Sequence, residues 1–190
     1  PTENKTDFAG GYGTKSSPYI IKTKEHLNNV RNSLNSYFKL ISDIIFEESD
    51  FEEGGAFYND GRGWKPIGDS DENFWGYFDG RGHAISGLYC DNSDEEYVGL
   101  FGYTNGSIKN LKMTNVSIKG TKYIGAIAGY MRNCSISNCD VKGTIDVCLG
   151  KNSNKYVGGI VGYANGGKIT DCTNNCTIQN ECNLTLGGII

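Results

Sequence analysis

One phrase keeps returning along this chain. "YVGLFGY" (97–103) comes back as "YIGAIAGY" (123–130) and as "YVGGIVGY" (156–163), and "LGGII" (186–190) begins it a fourth time. The glycines near the start of each phrase, Gly99, Gly125, Gly158 and Gly187, lie 26, 33 and 29 residues apart. A period near 30 with elastic spacing marks stacked repeats whose insertions leave from one face. The longest interval contains the polar stretch "CLGKNSNKY" (148–156), which we expect to bulge from the stack.

Between phrases the pattern is strand, turn, strand. Apolar positions alternate at Ile108, Leu111 and Met113, then Ile136, Cys139 and Val141, then Ile169 and Cys172. Period-two alternation argues half-buried strands, and these units carry no helical period. A coil of three short strands takes about 20–30 residues and stacks its inward side chains on those of the next coil. A propeller blade needs about 40 or more. The repeats therefore predict an all-β chain wound as a parallel β-helix. Glycine at the corners allows positive φ and close backbone approach. Tyr103, Tyr130 and Tyr163, which close each phrase, are expected to form a stacked ladder.

The composition agrees. Of 190 residues, 27 are Gly and 3 are Pro, and 37% are hydrophobic, which indicates many tight turns around a packed interior. Net charge is −4 and no basic run is visible in the sequence, which argues against nucleic acid as a partner. No segment approaches the roughly 18 apolar residues of a membrane span. The chain begins at Pro1 rather than Met, and the phrase is cut short at Ile190. We expect one piece of a longer protein.

The N-terminal part reads differently. Pro18–Ile21 looks like a strand. Thr23 can cap a short helix whose apolar face holds Leu27, Val30, Arg31 and Leu34. "YFKLISDIIF" (37–46) reads as one strand. "EESDFEEGG" (47–55) reads as an exposed acidic loop, with a cation site as the alternative. A solenoid must cover the open end of its first coil. The chain then divides as one domain: a cap with the helix at 1–35, entry coils at 36–96, and repeats at 97–190.

Seven cysteines, at 90, 134, 139, 148, 172, 176 and 182, cannot all pair within one chain. Cys139 and Cys172 fall where Leu111 falls in the first repeat, so they read as small core hydrophobes. Disulfides and a zinc site are the alternatives; His26 and His83 lie far from the Cys172/Cys176 pair. Six glycosylation sequons, at Asn4, Asn105, Asn115, Asn133, Asn175 and Asn183, follow from a turn composition rich in Asn, Ser and Thr.

"VGLFGY…SIKNLKMTNVSIKG" and "VGGIVGYANGGKITDC" resemble the GLUG-type repeat of bacterial surface proteins. The upstream "GTKSSPYIIKTKEHL", "FKLISDIIF", "WKPIG" and "FDGRGHAISGL" resemble the entry segment before such repeats. The resemblance implies a right-handed, single-stranded parallel β-helix in an adhesin-like protein that is secreted or held at the cell surface. Similar segments precede the catalytic part of immunoglobulin-A-specific metallopeptidases. Their His-Glu-x-x-His motif is missing here, since Leu27 follows His26 and Ala84 follows His83.

Two functions are open at this point. One is a non-catalytic module, needing no cofactor or metal, that acts as a rigid stalk or binds host glycan or matrix protein. The dense aromatics of 64–78 can fill the first coils or offer a sugar-stacking platform, for which Trp64, Trp75 and Tyr77 are the candidates. The Asn-rich turns at Asn105 and Asn165 come next. The other function is a polysaccharide lyase or glycoside hydrolase, which rests on analogy of fold. Hydrolysis would require two carboxylates about 5–10 Å apart. Asp79, beside Arg81 and His83, with Asp91, Asp94 or Glu95, is the available set; Asp140, Asp146 and Asp171 are dispersed.

Overall fold

The computed structural model describes residues 7–148 and 155–180. Along the chain run β1 (Tyr19–Ile21), α1 (Lys24–Asn29), β2 (Tyr37–Leu40), β3 (Ile44–Ile45), β4 (Tyr77–Asp79), β5 (Ala84–Ser86) and β6 (Tyr89–Asp91). The repeats follow as β7 (Tyr97–Val98), β8 (Phe101–Thr104), β9 (Ser107–Lys109), β10 (Lys112–Gly120), β11 (Tyr123–Ile124), β12 (Ala128–Ser137), β13 (Asp140–Val147), β14 (Tyr156–Val157), β15 (Val161–Thr170) and β16 (Thr173–Asn180).

These strands form three parallel sheets of a β-solenoid, all three visited by the repeat coils from β7 onward and the first two by the coils before them. The first sheet has the order β1-β2-β4-β9-β12-β15, with β8 also pairing β12. The second runs β3-β5-β10-β13-β16, with β6 beside β10, and the third is β7-β11-β14. The strand pairs are parallel, so apart from a register shift between Met113 and Val116 of β10 the paired residues sit over their equivalents in the coil before. Phe38, Phe78, Ile108, Ile136 and Ile169 make one inward column. Cys90, Ile118, Ile145 and Ile178 make another.

Residues 37–46 form two strands, not one. Ile41–Asp43 turn the corner from the first sheet to the second, and Ile41 is exposed there. Thr23 caps α1 by accepting a hydrogen bond from the His26 backbone N–H at 3.3 Å, and Leu27 and Val30 are fully buried. The acidic stretch 47–55 is exposed at Glu47, Glu48, Glu52 and Glu53. Asp50 departs from that reading: it pairs with Lys24 at 2.5 Å and accepts the Glu47 backbone N–H, while Phe51 turns into the core.

Corners explain the small and polar residues. Between the first and second sheets, Asn110, Asn138 and Asp171 stack with φ of 53°, 51° and 54°. Asparagine and aspartate tolerate this left-handed region better than most residues. Asn138 Nδ2 donates to Asn110 Oδ1 and Asn110 Nδ2 donates to Asp79 Oδ1, both at 2.8 Å, so the corner also carries a side-chain ladder. Between the third and first sheets, a Cβ on Gly125 would lie 2.5 Å from the Ala128 carbonyl oxygen and 2.6 Å from the Gly162 nitrogen. Only glycine fits where two coils touch through their backbones.

The tyrosine ladder is present and is double. Tyr103 and Tyr130 stack at 4.5 Å between ring centroids, and Tyr163 follows at 5.1 Å, tilted by 34° from Tyr130. Tyr97, Tyr123 and Tyr156, which open each phrase, stack beside them at 5.2 and 5.1 Å. The two columns meet edge to face, as at Tyr97–Tyr130 and Tyr156–Tyr163. The polar insertion within 148–156 falls almost wholly outside the described residues, as do Cys182 and the fourth phrase.

Cys90, Cys134, Cys139, Cys172 and Cys176 are free thiols. Burial pushes Cys90 and Cys139 up to about 12, and Cys134 and Cys176 to about 11. They pack as hydrophobes and stay protonated at neutral pH.

Two outcomes are expected. Gly125→Ala will cost about 1–3 kcal/mol by overpacking, lowering Tm by roughly 2–10 °C. Gly82→Ala, where a Cβ meets nothing within 4 Å, will cost less despite its positive φ; equal losses in thermal melts would contradict the close-approach argument. A thiol reagent at pH 7.5 will leave Cys90 and Cys139 unmodified in the native protein and reach them in denaturant, as read by peptide mass mapping.

Candidate functional site

The three aromatics named from the sequence do not come together. Trp64 is 1% exposed. Its indole N–H donates to the Leu100 carbonyl at 3.1 Å, and the Arg31 guanidinium lies over its ring at 5.4 Å. A ligand has no access to its faces: Trp64 fills the wide first coils, which is a correction to its place in the platform. Phe74 and Phe78 are buried with it. Trp75 is 56% exposed and Tyr77 is 49% exposed.

Tyr77 has a partner that sequence reasoning missed. Register places Tyr37 of β2 directly beside Tyr77 of β4, and the rings stack at 4.4 Å with an interplanar angle of 6°. The signal was available: "YFKL" and "YFDG" are equivalent rungs, each with an outward Tyr, an inward Phe and an outward charge. The pair lies in a cleft of about 640 Å³ on the outer face of the first sheet. Its floor comes from β2, β4 and β9, and Ser135 of β12 lies at its far side. Its near wall is the loop bearing Lys15 and Pro18, tied to β2 where the Tyr37 N–H donates to the Gly13 carbonyl at 2.9 Å.

Charge in this cleft is concentrated. Lys15, Lys39, Lys109 and Arg81 line it, with one carboxylate, Asp79. These cations are scattered in sequence, which is why no basic run was visible. Asp79 sits at the centre. Its Oδ1 accepts from Asn110 Nδ2 at 2.8 Å and from the Arg81 backbone N–H at 2.9 Å, and Lys109 Nζ lies 3.3 Å from Oδ2. Burial alone would raise its carboxyl, but these donors outweigh it and hold Asp79 below its ordinary range.

The acid–base set considered from the sequence is divided among faces. Asp79 belongs to the first sheet, whereas Asp91 belongs to the second, where its carboxylate is 3.4 Å from Lys119. His83 Nδ1 lies 3.2 Å from Asp43 Oδ1, and Asp43 also accepts the Ala84 backbone N–H. That backbone bond is the main reason Asp43 is lowered. Asp94 and Glu95 are exposed at a turn, and Asp140 lies in β13. Among the described residues, no group of three or more His, Cys, Asp or Glu could hold a metal ion. Of the two Asn-rich turns, Asn165 Nδ2 donates to the Tyr130 hydroxyl at 3.1 Å, and Asn105 has a buried Oδ1 with no hydrogen-bond partner among the described residues.

The linkage for Asp79 has a definite sign. A depressed carboxyl contributes stability above its unfolded pKa, and that contribution is lost as pH falls through the folded value. Urea unfolding of Asp79→Asn is expected to show lower stability than wild type at pH 7, with the gap closing below pH 3.8. A gap that persists unchanged into acid would contradict this placement of the charge.

Comparison with known proteins bears on the repeats and the fold. Residues 153–179 match the family model of the GLUG motif. A stretch of 84 residues, 43% of this chain, is 43% identical to a protein of Evansella cellulosilytica described as a Gly-rich membrane protein, and covers 9% of it. A stretch of 87 residues is 40% identical to halomucin of Haloquadratum walsbyi, and covers 1% of it. The chain thus spans only a small part of the curated relatives it matches. Among solved structures, a chain described as an immunoglobulin A1 protease of Bacteroides ovatus superposes with a TM-score of 0.69. That superposition covers 90% of this chain and 50% of the other at 24% identity, a likeness of fold. The third repeat of the column is therefore a GLUG motif, set in a solenoid whose fold is shared with that solved chain.

Proposed function

We propose that this chain is a non-catalytic module of a large secreted or cell-surface protein, a rigid column that carries a glycan-contact face. In this reading residues 1–35 start the column, 36–96 are its entry coils, and 97–190 are its repeats. The observation that carries the proposal is the unbroken parallel register of the first sheet from β1 to β15. Such a ladder transmits load and holds outward side chains at fixed spacing. The names of the two curated relatives, a membrane protein and a halomucin, support placement at the cell exterior. The tiny share of each that is matched supports a module within a long chain. The exposed Tyr77, braced on one face by Tyr37 and open on the other over Ser107, favours glycan over matrix protein as the partner, because a sugar ring lies flat on an aromatic face. A carbohydrate-active enzyme is not favoured, since its candidate carboxylates lie on different sheets and are held in local pairs.

Antibodies against the chain are expected to label intact source cells, and external protease to remove the label. Label that appears only after permeabilisation would overturn the placement.

A further inference from the structure

We infer that the cleft on the first sheet binds an acidic polysaccharide, with sugar rings on the Tyr37–Tyr77 pair and uronate carboxylates on the surrounding cations. This rests on the reading of the chain as a module with a glycan-contact face, and names the class of glycan.

The charge balance is the first argument. The whole chain has 22 acidic residues against 18 Lys and Arg, yet the cleft has four cations around one carboxylate. Lys109 is the cation paired with that carboxylate. Lys15, Lys39 and Arg81 have no ion pair among the described residues. Nothing in the fold requires them to converge, because they arrive from a loop, a strand and a turn. The arrangement leaves an excess of positive charge that an anion balances.

The spacing is the second argument. Lys39, Asp79 and Lys109 are register partners on three successive strands. At about 4.8 Å per strand, the two lysine positions are roughly 10 Å apart along the column. Charges at that repeat suit a polymer bearing a carboxylate every one or two residues better than a single small anion. Arg81 adds a planar fork that matches a carboxylate through two hydrogen bonds.

The third argument is the chemistry at the centre. Tyr37 covers one face of Tyr77, and the other face of Tyr77 looks along the sheet over the small Ser107, beside Asp79, where a sugar ring can stack. The Asp79 carboxylate accepts hydrogen bonds from hydroxyls, which a polysaccharide carries on every residue and a DNA backbone lacks. Single-stranded DNA would use the same stacking and the same cations, but it offers Asp79 no row of hydroxyl donors, which favours the sugar polymer.

The test is calorimetric titration of the whole chain with oligomers of polygalacturonate, alginate and hyaluronate. Methyl-esterified galacturonate oligomers, neutral glucan oligomers and oligo(dT) are run beside them. At least one free-acid oligomer is expected to bind, with affinity that falls as salt rises. Methyl esterification, which keeps the sugar and removes the charge, is expected to weaken galacturonate binding or leave it undetectable, and neutral glucan to bind more weakly than the acids. Tyr77→Ala and Lys39→Gln should each weaken binding by about five-fold or more, in line with loss of one stacking or ionic contact. Tyr77→Phe should keep most of the affinity, and unchanged thermal melts will show that the variants fold. Equal or tighter binding of esterified or neutral oligomers overturns the acidic assignment and leaves the glycan reading standing. Tighter binding of oligo(dT) overturns the assignment in favour of a polynucleotide. No saccharide binding on any arm overturns both readings.

Discussion

Parallel pairing at a single strand spacing governs this molecule. Once one coil is laid down, the next must put each residue about 4.8 Å above its equivalent. Side chains that tolerate a copy of themselves at that distance survive, and others are displaced to corners. Isoleucine over isoleucine, phenylalanine over phenylalanine and tyrosine over tyrosine are what the rule produces. Asparagine at the left-handed corner and glycine at the backbone contact are the same rule applied where the backbone takes a positive φ or where two coils leave no room for a Cβ.

That rule also made the repeats legible. The recurring "VGLFGY" phrase implied stacking because an isolated strand gains nothing from repeating its neighbour. Within a strand the inward positions follow from alternation, and the three-residue step from Ile108 to Leu111 crosses the corner at Asn110. The entry coils were harder to read. Ile41–Asp43 lie between the apolar runs of β2 and β3 and so read as part of one strand, and the corner they form is set by pairing with partners distant in sequence. The long connection between β3 and β4 folds a tryptophan inside, where the indole N–H satisfies a backbone carbonyl. An aromatic-rich stretch cannot announce which of its rings will face inward without that register.

The cleft shows the same limit from the functional side. Tyr77 was visible as a candidate, but its partner lies 40 residues earlier and became adjacent through strand order. The four cations are spread over nearly a hundred residues and assemble on one face. A search for a basic run cannot find a patch built one residue per strand. Conversely, the acidic and imidazole groups that sit close together in sequence were sent to separate sheets by the corners between them. In a solenoid, neighbours in sequence diverge across faces, and neighbours in space recur one coil apart.

Hydrogen exchange along the column tests the central claim, that each coil is held in register by the coils on both sides. The account predicts that amides of β10, β12 and β13, which have paired strands on either side, are the most protected, with protection falling toward β1 and toward β15 and β16. Protection equal from end to end, or greatest in a terminal strand, would contradict a stack that is templated coil by coil.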